Sequence, residues 1–207
     1  MKQFTLADAV AEWKAATGAD GHEIGRRLKL LRDAGFLPTL RERATDLNLA
    51  RLIIGLAVDG NPSEATEAAM RLFDAVCVES TAAHPLFQPG TTLGVALAAG
   101  LRLVKRRELA IHRLLVRSAG RELGGGLSLT GEPGTIAEAA FIVDDGEAGL
   151  TAYNDDGVPR GYAPVEKTTE INGNVLHDLA ELVAERSTVR SRAALAARVA
   201  SYETEEK

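Results

Sequence analysis

Apolar positions recur at helical spacing through the first third of the chain and give way to alternation further on. Leu6, Ala9, Val10 and Trp13 share one side of a segment that Thr5 can cap and Gly18 can end, which predicts a helix through Thr17. A second helix is predicted from Asp20 to Ala34, stopped by Gly35. A third begins after Thr45, where Leu49, Leu52, Ile53, Leu56 and Ala57 cover an arc wide enough for a buried central helix. Asn61-Pro62-Ser63-Glu64 predicts a fourth, with Asn61 as cap, Pro62 in the first turn and Glu64 closing a capping box. Ala69, Met70, Phe73 and Val76 supply its packing side.

Pro85 and Pro89 within Ser80–Gly90 predict a boundary between domains. A fifth helix is expected from Thr91 to Lys105, followed by strands at Ile111–Arg117 and Ile136–Val143. Asp144–Glu147 reads as a turn into a strand at Leu150–Tyr153, and Val165–Ile171 as a half-exposed strand. Helices at Val175–Glu185 and Thr188–Tyr202 close the chain before a charged tail. The fold class this gives is α+β. An all-helical, helix-turn-helix-like DNA-binding domain at 1–79 is followed by a small α+β domain at 91–207 that dimerises or forms a higher homo-oligomer.

Glu23–Pro38 carries the clearest pointer to a partner. Turned at helical pitch, Ile24, Leu28 and Leu31 form one narrow stripe; His22, Arg26, Lys29 and Asp33 fall opposite, and Arg27 and Arg32 flank the stripe. Four cationic side chains thus emerge from a helix anchored by three aliphatics. Such a helix suits a major groove, where arginine pairs with guanine and neighbouring cations meet phosphate. Gly35 frees the chain to leave the helix, and Phe36-Leu37 returns it to the core. The competing reading is an amphipathic helix whose arginines are simply solvated.

Residues 24–37, IGRRLKLLRDAGFL, resemble the recognition helix and following segment of winged-helix repressors of the ArsR and MarR type, whose pattern ends in Leu-Arg-acidic-Ala-Gly-Leu. That ending is Leu31-Arg32-Asp33-Ala34-Gly35-Phe36 here. The layout also resembles helix-turn-helix proteins of phages and prophages, including small terminase subunits. The resemblance implies a DNA-reading helix, with Arg26, Arg27 and Lys29 at base edges or nearby phosphates and Arg32 on the backbone. Arg41 and Arg43 lie where a wing would follow, in a stretch with no clear hairpin pattern, and are expected to grip phosphates as a basic arm.

Composition narrows the picture further. The 207 residues are 45% hydrophobic and 26% charged, ordinary for a folded chain, and the apolar set is mostly Ala, Leu and Val, which favours helices. A net charge of −5 argues against coating nucleic acid by bulk electrostatics, so any DNA contact needs a local basic face. Cys77 stands alone, which excludes an intrachain disulfide and a Cys-rich zinc site and fits a reducing cytoplasm. No apolar run reaches membrane-spanning length.

Other candidates are weaker. Arg102, Lys105, Arg106, Arg107, Arg113, Arg117 and Arg121 form a second basic cluster, either a further phosphate-contact surface, a match for an acidic surface on another subunit, or a solvated face. Gly124-Gly125-Gly126 lacks the Lys-Ser/Thr ending of a phosphate loop and reads as a mobile loop. Asn154–Gly157 fails the calcium-loop register, and the four histidines lack metal-ligand spacing. No nucleophile elbow is present, so neither catalysis nor a cofactor is expected. The expectation is a cytoplasmic transcriptional regulator of phage or mobile-element type that binds double-stranded DNA as a homo-oligomer. The alternatives are a ring-forming small-terminase-like subunit and a phage-encoded protein-interaction module.

Overall fold

Helix caps set the first half of the molecule. The computed structural model describes residues 4–58, 60–80, 87–119, 122–130, 139–144 and 167–181. Helix α1 spans Leu6–Thr17, and Thr5 and Asp8 form a reciprocal capping box at its start. Helix α2 (Gly21–Asp33) is capped by Asp20, α3 (Asp46–Ala57) by Thr45, and α4 (Pro62–Asp74) by Asn61. At α4 the Asn61 side chain accepts from the Ser63 N–H. No reciprocal bond from Glu64, expected from the sequence, accompanies it.

Strand β1 (Val76–Ser80) follows α4 directly, and α5 (Leu93–Lys105) returns the chain across the core. Then come β2 (Ala110–Ala119), β3 (Glu122–Thr130), β4 (Ala139–Asp144), β5 (Lys167–Asn172) and a helical segment at 173–181, here α6. The fold is therefore mixed α+β. The five strands form one antiparallel sheet in the order β1-β4-β3-β2-β5.

Two strands depart from expectation. Val76 was assigned to the packing side of α4, but it begins β1 and is 45% exposed; Met70 is also at the surface. Gly124-Gly125-Gly126 was expected as a loop, yet it lies in the middle strand of the sheet, opposite Arg117, Val116 and Leu115 of β2. Pairing on both sides outweighs the poor strand propensity of glycine there. The predicted strand at Leu150–Tyr153, its hairpin turn beyond Asp144, and the last predicted helix lie outside the described residues.

The sheet packs on the helices through a cross-strand row of buried residues, Ile171, Leu114 and Leu127. A register shift between Ile111 and Arg113 places an extra residue, His112, in β2. That bulge resets the alternation, so Ile111 and Leu114 both face the core although three positions apart. The Ile111 N–H donates to His177 Nε2 of α6 at 3.1 Å.

Close approaches fix the helices. A methyl group on Gly55 would sit 2.7 Å from Leu31 Cδ1, so α2 meets α3 at that glycine. Gly94 of α5 lies tighter still under the Phe73 ring of α4. One continuous core runs from Phe4 to Ala180 among the described residues. The expected division at 1–79 and 91–207 therefore does not separate two cores: β1 belongs to the sheet, and α5 packs against α3 and α4.

Candidate nucleic-acid interface

Helix α2 is held at both ends. Asp20 accepts the N–H groups of His22 (3.3 Å) and Glu23 (3.2 Å), and these bonds hold its carboxyl below the usual carboxylate range. At the other end Ala34 is the cap and Gly35 takes a left-handed conformation, φ 72°. The Gly35 N–H donates to the Arg32 carbonyl and the Phe36 N–H to that of Leu31, the double bonding of a Schellman ending. Phe36 and Leu37 are then buried, as the sequence implied. Between the ends, Ile24, Leu28 and Leu31 form the inward stripe.

Arg27 is a correction. It is only 7% exposed, and its guanidinium faces inward to the carbonyls of Val58 and Gly60, with Glu23 at 3.1 Å. Committed to the C-terminal end of α3, it cannot meet base edges. A pocket of about 200 Å³ beside it has this same Glu23–Arg27 pair as its charged lining.

Arg26, Lys29 and Arg32 remain exposed. Among the described residues none of the three is ion-paired; Arg32 Nε leans back to the Leu28 carbonyl at 3.3 Å. Arg26 and Lys29 are three positions apart and so are surface neighbours. The exposed carboxylates of α2 are Glu23, three positions before Arg26 and paired with Arg27, and Asp33, four positions after Lys29.

Residues 39–44 form no hairpin. The Leu6 N–H donates to Glu42 O (3.0 Å), Ala7 N–H to Leu40 O (2.9 Å), and Ala44 N–H to Phe4 O (3.1 Å), so the stretch pairs with the chain entering α1. Arg41 lies in a turn closed by the Glu42 N–H to the Thr39 carbonyl (3.0 Å), and Arg43 bridges to Thr5; both arginines are exposed.

One further cation lies nearby and was not singled out in the sequence. Arg51, on α3, holds its guanidinium 6.0 Å from the Phe36 ring centre and 5.6 Å from that of Phe73. Those rings meet edge to face at 5.4 Å. The only sequence signal was a lone cation within the apolar run of α3.

The second basic cluster is divided. Asp46, the first residue of α3, takes both Arg102 Nε (3.3 Å) and Lys105 of α5. Arg106, Arg107 and Arg113 are exposed; Arg121 lies outside the described residues.

No family model, curated protein or solved structure matches the chain. Among the described residues, no group of three His, Cys, Asp or Glu side chains is placed to hold a metal ion, and no helix is long and apolar enough to cross a membrane.

Proposed function

We propose that this protein binds double-stranded DNA through the outer face of α2, as a regulator of transcription of phage or mobile-element type. The observation that supports the reading is the division of charge on that helix. Arg27 is withdrawn into the fold, while Arg26, Lys29 and Arg32 stay at the surface, and no described carboxylate pairs with them. A net charge of −5 makes an unneutralised cationic ridge more telling than it would be on a basic protein.

In this reading Arg26 and Lys29 meet base edges or phosphates, and Arg32 holds the backbone. Arg41 and Arg43 act from a turn and bridge pinned against the start of α1, in the place of a wing. One short helix buries little surface, so specific affinity calls for two or more copies. Paired copies would address half-sites about one helical turn apart.

The test is a gel-shift titration of Arg26→Ala/Lys29→Ala against the wild type, on sites selected from random DNA. The loss expected is about 1–3 kcal/mol for a base-reading arginine, with a shallower salt dependence. Unchanged retention by a folded double variant would refute the reading. Mass in solution separates a dimeric regulator from a ring of terminase type.

A further inference from the structure

We propose that the C-terminal end of α5 is a second phosphate-contact site, with Arg106 and Arg107 as the contacting side chains. The inference rests on the DNA-binding reading above and extends it to a part of the molecule that reading does not use.

Helix α5 ends with the same backbone device as α2. The Arg107 N–H donates to the Val104 carbonyl at 2.9 Å, and the Glu108 N–H to the Leu103 carbonyl at 3.0 Å. The device needs a left-handed residue, and at α2 that residue is Gly35. At α5 it is Arg107, φ 59°, the one non-glycine residue with positive φ among those described. A side chain in this conformation is strained where glycine is not. Backbone strain held at a surface position is a mark of function when the side chain gains nothing from the fold.

Arg107 gains nothing of that kind. It and Arg106 are exposed, and neither is ion-paired among the described residues. Their neighbours differ, since Arg102 and Lys105 both turn onto Asp46. Complementing the helix dipole calls for cations in the last turn, which Arg102 and Lys105 provide. It does not call for arginine in the left-handed position.

The Asp46 contacts also set where this end of α5 lies. Asp46 opens α3 directly after the segment that carries Arg41 and Arg43, so α5 ends beside that segment. The acidic groups of these stretches are Asp46, already engaged, Glu42, which bonds the Thr39 N–H and hydroxyl, and exposed Glu108. Separate cations on an open surface suit a repeating polyanion; a single small anion needs an enclosing site. The carbonyl end of α5 itself repels anions, so contact falls to guanidinium groups reaching beyond it.

The experiment uses the full chain and a duplex DNA, with affinity read across a salt series and thermal stability read in parallel. Arg107→Gly is expected to raise the melting temperature and to weaken DNA binding several-fold. Per bound protomer its salt slope should fall by about one, and that of Arg106→Gln/Arg107→Gly by about two. Arg107→Lys should keep the wild-type slope. An Arg107→Gly protein that melts no lower and binds with wild-type affinity and slope overturns the proposal. If Arg26→Ala/Lys29→Ala abolishes binding while the α5 variants bind normally, only the α5 site falls. If the α5 variants lose binding and the α2 double variant does not, the α2 reading falls instead. A wild type that binds no duplex overturns both.

Discussion

The guanidinium of Arg27 lies 3.1 Å from the carboxylate of Glu23, one helical turn back. The two ends of this pair differ: Arg27 is buried, whereas the Glu23 side chain is 58% exposed. An ion pair with one end in water contributes little, so the anchoring comes from the bonds to the Val58 and Gly60 carbonyls. Arg27→Met should cost about 1–3 kcal/mol in urea unfolding, because it strands the buried Val58 carbonyl. Glu23→Gln should cost less than about 1 kcal/mol. Equal losses from the two would show that the pair, and not the carbonyl contacts, ties α2 to α3.

Two glycines should respond to alanine with opposite sign. A Cβ on Gly94 would stand 2.3 Å from Phe73 Cε2, against a buried ring. Overpacking of this kind costs about 1–3 kcal/mol. Gly25, on the exposed side of α2, has nothing within 4 Å of such a Cβ. Gly25→Ala should stabilise by about 0.5–1 kcal/mol through helix propensity. Thermal melts of the two variants check both signs.

Acid should loosen the start of α2. The folded-state carboxyl of Asp20 titrates below its ordinary value because it accepts the His22 and Glu23 N–H groups. Its stabilising contribution is therefore complete above the ordinary carboxylate value, 3.8, and is lost as pH falls through the lower folded value. Asp20→Asn keeps an acceptor with no proton to gain. Amide exchange at His22 and Glu23 should accelerate at acid pH in the wild type relative to that variant, and the difference should level off once the carboxyl is fully protonated.

His177 should hold α6 to the sheet. Its Nε2 accepts the Ile111 N–H beside the β2 bulge, where the strand ladder is interrupted. His177→Ala leaves that donor without its partner and should cost about 1–3 kcal/mol. His177→Gln, which can present an oxygen, should recover part of the loss. Exchange of the Ile111 amide reports the bond directly, and unchanged protection in His177→Ala would remove it from the account.

The sequence was most legible where chemistry is local. Thr5 and Asn61 are legible as caps because each acts on N–H groups within a few residues, and the starts of α2 and α3 fall within a residue of the expected ones at Asp20 and after Thr45. The inward stripe of α2 and its turn at Gly35 were readable for the same reason. Arg27 was not. On a helical wheel it flanks the stripe, and only carbonyls some thirty positions away decide that it turns inward. The Gly124–Gly126 strand was hidden likewise, since its neighbours in β2 and β4, and not its own propensity, make it a strand. Val76 failed because a strand starting almost directly after a helix continues the helical pattern by chance.

The sheet order has a consequence for how the molecule assembles. Strand β1 is complete once Ser80 has been made, yet its strand partner among the described residues, β4, begins at Ala139. During synthesis β1 can bond to the Gly90–Leu93 segment early, but its other side must wait for most of the chain before β4 closes it. Long-range pairing of this kind slows folding. It also means that a fragment cut after Ser80 would carry an open β edge, which favours association with other copies.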